Sequence, residues 1–174
     1  MKRNLICLAA ALALVLSACS RGQQSVATDP PAAATQPGAE YDSFVFPVPA
    51  AHDYVLAIDQ DMADVLSALG EAQSYFESPS SAFDGLDKTY TYSGFCVTTR
   101  PEVDRDYVNS ILLLDNSVTT AEGVSIGAAK DDVTAVYGEG DDQGTAITYN
   151  KGDSSLTFIF GADDTVISIE YLPL

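Results

Sequence analysis

Residues 126–139 read IGAAKDDVTAVYGE, and residues 58–71 read IDQDMADVLSALGE. Without a gap, the two stretches share Ile, Asp-Val and Gly-Glu at positions 68 residues apart. Apolar residues recur at helical spacing, as Met62, Val65 and Leu69 do in the earlier stretch, and a glycine stands where helices commonly end. The pattern predicts an internal repeat with one short helix at the start of each copy.

Alternating apolar residues follow each predicted helix. Residues 90–97 read YTYSGFCV, which predicts a hairpin with its turn at Ser93-Gly94. The alternation recurs in residues 147–160 and continues through Ile167, Ile169 and Tyr171, so that one sheet face would be apolar. We predict an α+β fold of two tandem units, each a helix followed by three antiparallel strands. The units would join into one larger sheet with the helices on one face.

The first twenty residues have the three-part organisation of an export signal. Two basic residues precede an uninterrupted apolar run over residues 5–16, which is too short to span a bilayer. The next stretch, Leu16-Ser17-Ala18-Cys19, resembles the bacterial lipobox, in which the cysteine receives a diacylglycerol and the chain is cut before it. The resemblance implies a signal peptide over residues 1–18 and lipidation of Cys19. It also implies an anchor on the extracytoplasmic side of the cell membrane, or of an outer membrane if the organism has one.

The region after the lipobox has a composition that favours disorder. Residues 20–40 are rich in Gln, Ser, Thr, Ala and Pro and contain almost no large apolar side chain. We therefore expect a lipidated tether over residues 19–49, a first α+β unit over residues 50–117 and a second over residues 118–174. Cys96 would be the one cysteine left outside signal and anchor, which argues against an intramolecular disulfide and a thiolate metal site.

The chain is strongly acidic, with 25 Asp and Glu against 8 Lys and Arg and a formal net charge of −17. This charge argues against a nucleic-acid partner, because affinity for phosphates depends on Lys and Arg. Since 47% of the residues are hydrophobic, the chain can still build a core, and we expect the acidic side chains at its surface.

One helix followed by three antiparallel strands, twice over, resembles the tandem-repeat fold of the β-lactamase-inhibitor proteins. It also resembles the small lipoprotein subunit of the outer-membrane β-barrel assembly machinery and a family of uncharacterised Gram-positive gut lipoproteins. The residues that carry the resemblance are Ile126-Gly127, Val133, Tyr137 and Gly138, with a weaker copy at Ile58, Val65, Leu69 and Gly70. The resemblance implies the fold over about residues 54–172, and its motif transfers no target-binding residue.

No catalytic constellation is apparent in the sequence. The single histidine, His52, lies in an irregular segment away from any plausible nucleophile. Paired carboxylates such as Asp131-Asp132 and Asp141-Asp142 are interpreted as helix-start, turn and surface residues, with Ca²⁺ binding as the alternative. We therefore expect no enzyme activity, no cofactor and no metal site.

The sheet face opposite the core is the candidate binding surface. Alternation places seven residues on it, namely Thr91, Cys96, Thr98, Thr148, Thr157, Ser168 and Glu170. The expected partner is an envelope or secreted protein. Cys96 has two interpretations, an accessible thiol on this surface or a small buried residue.

These observations predict a lipid-anchored extracytoplasmic binding or scaffolding module without catalysis. The alternative is an inhibitor of a secreted or envelope enzyme, with aromatic anchors Tyr75, Phe76 and Phe83 in a long loop over residues 71–87. An extracytoplasmic hydrolase is a further alternative, and it would need converging carboxylates in a cleft.

Overall fold

The computed structural model of this protein describes residues 41–51 and 54–174. The predicted signal peptide, the lipidation site Cys19, residues 19–40 of the predicted tether and His52 lie outside these described residues.

The described residues form ten strands and two helices. In chain order these are β1 (Val45–Pro47), β2 (Val55–Ala57), α1 (Met62–Leu69), β3 (Ser74–Pro79), β4 (Leu86–Thr91), β5 (Phe95–Glu102), β6 (Arg105–Leu113), α2 (Lys130–Tyr137), β7 (Asp141–Asp142), β8 (Ala146–Lys151), β9 (Ser154–Phe160) and β10 (Val166–Pro173). Strands β1 and β2 pair as a separate ribbon, and the other eight form one antiparallel sheet in the order β3-β4-β5-β6-β10-β9-β8-β7. The middle of this sheet is therefore the junction of β6 with β10.

The predicted α+β fold class is wrong. The described residues are mostly β, with one eight-stranded sheet and two helices of eight residues each, not two units of one helix and three strands. A helix of this length is about 12 Å long, whereas eight paired strands extend over roughly 35 Å. Two such helices cannot cover the sheet, so other segments complete the core. Strands β3 and β7 add two edge strands whose residues lack the apolar alternation that predicts a strand.

Both helices end where the sequence predicted. Gly70 follows α1 with φ of 74°, and its N–H donates to the Leu66 carbonyl over 2.9 Å. Gly138 follows α2 with φ of 80° and donates in the same way to Thr134 over 2.9 Å. Glycine adopts such positive φ values without steric strain, and this explains why each helix stops at its glycine.

The core lies on one face of the sheet. Val97, Ile111 and Leu156 contribute fully or almost fully buried side chains from the strands. Met62 and Val133 belong to the same hydrophobic cluster and come from the helices. The β1–β2 ribbon adds Phe46 and Leu56, and the loop before α2 adds Val118 and Val124. Residues 44–48, which fall within the range expected for the tether, therefore contribute to the folded core.

Neither helix in the described part of the chain is long and apolar enough to cross a membrane.

Candidate functional site

A row of side chains crosses all eight strands on the face opposite the core. Its members are direct cross-strand partners, in the order Ser74, Thr91, Cys96, Leu112, Glu170, Thr157, Thr148 and Asp141. Residues directly opposite each other point to the same side of a sheet, so these eight share one face. We call this row, with the residues two positions along each strand, the open face.

The open face includes all seven residues that alternation selected from the sequence. Five of them are members of the row. Thr98 and Ser168 lie two positions from Cys96 and Glu170 on the same strands, and therefore on the same side. The structure brings these residues together because β6 and β10 pair in the middle of the sheet.

Hydroxyl groups on the open face bond to each other across strands. The hydroxyl oxygens of Thr148 and Thr157 are 3.0 Å apart, and those of Thr98 and Ser110 are 2.8 Å apart. Each hydroxyl has one donor and two acceptor positions, so a mutual bond leaves each pair one free O–H and several lone pairs. Both halves of the face can therefore hydrogen-bond a partner without breaking internal bonds.

Glu170 is a carboxylate in the middle of the open face. It lies between Leu112 on β6 and Thr157 on β9. Its side chain is half-buried, and this burial raises the pKa of the carboxyl above its usual range. None of the ion pairs formed among residues 41–51 and 54–174 includes Glu170. A desolvated carboxylate without a counter-ion destabilises the folded state, which is typical of a residue kept for binding.

We expect Glu170→Gln to raise the free energy of unfolding at neutral pH. Because the folded-state pKa lies above the unfolded one, the protonated carboxyl stabilises the fold below the unfolded pKa, and this contribution is lost as the pH rises through the folded pKa. The neutral amide has no such loss. The increase in the free energy of unfolding caused by Glu170→Gln should therefore be present near pH 7 and vanish below about pH 4.

Thermal unfolding of parent and variant across this pH range measures the effect of Glu170→Gln. Glu139→Gln removes an exposed carboxylate beyond the end of α2 and controls for the change in net charge. If Glu170→Gln gains no more stability at neutral pH than Glu139→Gln, the carboxyl of Glu170 is not destabilised by its surroundings.

Cys96 is free and only 8% exposed, so its interpretation as an accessible thiol is wrong. Its neighbours across the strands are Thr91 and Leu112, and their side chains flank it. Burial, with a smaller contribution from the charge of Glu170, raises the pKa of the thiol. Fewer thiolates therefore form at neutral pH, and Cys96 acts as a small packing residue within the open face.

The aromatic anchors of the inhibitor alternative do not lie in a long loop. Tyr75 and Phe76 are part of β3, which pairs with β4 over its whole length. The two side chains are 51% and 65% exposed, and Phe83, in the turn that follows β3, is 47% exposed. The prediction of a loop over residues 71–87 is therefore wrong. The side chains of this edge strand are exposed on both faces of the sheet, so its sequence shows no alternation of apolar and polar residues.

The paired carboxylates serve local structure. Asp131 and Asp132 lie in the first turn of α2, where they meet the positive end of the helix dipole. Asp142 pairs with Lys130 over 2.9 Å and accepts a hydrogen bond from the Gly144 N–H over 2.7 Å. These contacts lower the pKa of the Asp142 carboxyl, the hydrogen bond from Lys130 being the larger cause. Among the residues that the structure describes, no group of three or more His, Cys, Asp or Glu side chains converges as a metal site would require.

Two open grooves lie beside the helix ends. One, of about 480 Å³, is lined mainly by small and apolar residues, including Leu69, Tyr92 and Val118. The other, of about 590 Å³, includes Glu122 and Tyr137, whose hydroxyl donates to the Glu122 carboxylate. The lining of the second groove also includes the carboxylates of Glu139 and Asp141, and the hydrolase alternative stays a prediction.

No protein-family model matches the chain, and no curated protein matches it. One solved structure is similar, the crystal structure of a DUF4309 family protein, YjgB, from Bacillus subtilis strain 168. The identity is 18%, the match covers 66% of this chain and 79% of that one, and the TM-score is 0.40. At this level of similarity, nothing about fold or function is transferred from that protein.

Proposed function

We propose that this protein is a lipid-anchored extracytoplasmic binding or scaffolding module that recognises an envelope or secreted protein through the open face, without catalysis. The burial of Glu170 supports the binding part of the proposal, because its carboxyl is half-buried in the middle of that face and has no ion-pair partner among the described residues. The anchor part is supported by the lipobox resemblance at Cys19.

The chemistry of the open face indicates what kind of partner surface fits. Its central row contains two carboxylates, Glu170 and Asp141, and no basic side chain. Part of the desolvation of Glu170 is already present in the free protein, so less remains to be lost when a partner covers it. We infer that a Lys or Arg of the partner meets Glu170, with hydrogen-bonding groups facing the threonine hydroxyls on either side.

Site-specific photocrosslinking in the native host tests this proposal. The full chain with a photoreactive residue in place of Thr157, beside Glu170, should crosslink to a distinct partner protein. The same photoreactive residue in place of Ala135, exposed on α2, is the matched control and should give no such product. Crosslinks of equal yield at both positions would contradict recognition by the open face.

The same experiment separates binding from folding. Adding Glu170→Gln should weaken the crosslink from position 157 while raising stability at neutral pH, a combination typical of binding residues. An undiminished crosslink would show that Glu170 does not contribute to binding the partner. Replacing Cys19 by Ala tests the anchor, since a labelled fatty acid supplied to the cells should be incorporated into the parent chain but not into the variant, and equal labelling of both would contradict lipid attachment at Cys19.

A further inference from the structure

The two edges of the eight-stranded sheet differ in length and in chemistry. Strand β7, at one edge, has only two residues, which is a common way to prevent edge pairing. Strand β3, at the other edge, has six residues and exposes Tyr75 and Phe76. A long edge strand with exposed aromatic side chains is a template for another strand.

The register of β3 shows which backbone groups are free for such pairing. The N–H of Ser80 donates to the Gly85 carbonyl over 3.0 Å, in line with the β3–β4 register. Hydrogen-bonded positions alternate along antiparallel strands, so Ser74, Phe76 and Ser78 bond to β4. The N–H and C=O groups of Tyr75 and Glu77 therefore point away from the sheet, where no described strand pairs with them.

The sequence of β3 places a serine two residues to each side of Phe76. It reads Ser74-Tyr75-Phe76-Glu77-Ser78, with a serine at each end of the five residues. If two such strands pair antiparallel about Phe76, Tyr75 of each copy lies opposite Glu77 of the other. Their outward N–H and C=O groups then form four backbone hydrogen bonds, and Pro79, which has no N–H, limits the ladder.

We propose that β3 is a self-association edge, at which two copies of this chain pair antiparallel about a two-fold axis at Phe76. The two Phe76 side chains face each other in a non-hydrogen-bonded pair, in which Cα atoms are about 4.5 Å apart and side chains approach most closely. The contact covers the most exposed aromatic side chain among the described residues.

The charges along β3 favour this register over its neighbours. Glu77 lies directly across from Lys88 of β4, whose ammonium group forms its ion pair with Asp106. Within one chain the Glu77 carboxylate accepts a hydrogen bond from the Tyr75 hydroxyl. Pairing about Phe76 keeps a tyrosine of the second copy opposite each Glu77. Pairing about Glu77 would instead place the two carboxylates opposite each other, which is destabilising. Pairing about Tyr75 would separate the two Phe76 side chains.

Self-association at β3 would also enlarge the open face. Phe76 pairs with Thr89, two residues from Thr91, and so lies on the side of the sheet that carries the open face. A two-fold axis perpendicular to the sheet keeps both open faces on the same side of a continuous sixteen-stranded sheet. Because each chain carries a net charge of −17, the copies repel at long range, and association should strengthen with salt.

Disulfide trapping of the full chain in cells tests the axis. Phe76→Cys places two thiols opposite each other, so mild oxidation should give a disulfide-linked dimer on a non-reducing gel. Tyr75→Cys and Glu77→Cys are the matched controls. In each control, the two introduced cysteines of the dimer are diagonal neighbours, and their Cα atoms are about 8 to 9 Å apart. This distance is beyond the reach of a disulfide. The parent chain shows the background from its natural cysteines.

A second trapping experiment retains the Phe76 ring, in case the loss of that ring in Phe76→Cys itself weakens pairing. Co-expression of Tyr75→Cys with Glu77→Cys should trap a mixed dimer while Phe76 stays in place. Phe76→Lys should abolish that mixed dimer, whereas Phe83→Lys, at an exposed aromatic outside β3, should leave it intact. The proposal would be overturned if Phe76→Cys and the co-expressed Tyr75→Cys and Glu77→Cys pair both gave no more disulfide-linked dimer than the parent chain. A disulfide to a different protein instead of a dimer would also overturn it.

Discussion

Replacing Phe46 by alanine is expected to lower the free energy of unfolding by about 3 to 5 kcal/mol. The ring has no exposed surface and lies 4.9 Å from the ring of Phe95 and 6.2 Å from that of Tyr171, centroid to centroid. It comes from β1, outside the main sheet, and fills the space that two short helices leave uncovered. Truncation would remove the buried ring and leave a cavity that the surrounding strands cannot close.

Chemical denaturation of the full chain measures the loss for Phe46→Ala. Phe83→Ala is the matched control, because its ring is 47% exposed, and its effect should be far smaller. Domains of this kind have total stabilities of about 5 to 15 kcal/mol, so the loss at position 46 would be a large fraction of the total. A loss of less than about 1 kcal/mol would show that the β1–β2 ribbon is not part of the core.

Gly94→Ala is expected to cost about 2 to 6 kcal/mol, the sum of backbone strain and overpacking. Gly94 adopts φ of 83° in the turn between β4 and β5. A Cβ there would lie 2.6 Å from the Ser117 hydroxyl oxygen and 2.7 Å from a methyl carbon of Val118. Both residues belong to the segment that follows β6. Val118 is buried, and the exposed Ser117 hydroxyl donates to the Asp115 carboxylate, so moving either side chain disturbs existing contacts.

Gly123→Ala separates the two contributions to the cost at position 94. Gly123 has φ of 90°, and a Cβ there would meet no atom within 4 Å, so only backbone strain of about 1 to 3 kcal/mol should appear. The excess loss for Gly94→Ala over Gly123→Ala measures the close packing of the turn on residues 117 and 118. Equal losses in denaturant midpoints would show that this packing contributes nothing.

Local patterns predicted the features that depend on near neighbours in the chain. The prediction that a glycine ends each helix is confirmed. The prediction that alternate side chains of residues 90–97 and 156–160 face the core is also confirmed. The prediction for Ile167 is wrong, since it is 57% exposed while Val166 is buried. A register shift between Val166 and Ser168 rotates the strand there, and such a bulge leaves no mark in apolar spacing.

The candidate site was predictable in its membership but not in its chemistry. Strand parity alone selects Thr91, Cys96 and Glu170 for one face, because side chains alternate with a period of two. Parity does not determine that Cys96 is buried or that Glu170 is desolvated. Both properties arise from Leu112 and other neighbours that pairing in the middle of the sheet brings close from distant parts of the chain.

The sequence by itself determined the acidic surface, the two helix ends and the hairpin turn at Ser93-Gly94. It also determined, for most strands, which side chains face the core. Each of these depends on composition or on residues within a few positions of one another. Only the tertiary structure decided the fold class, the edge strands β3 and β7 and the packing of Phe46 under the sheet. These depend on contacts between residues far apart in the chain, where backbone hydrogen bonding and burial override local propensity.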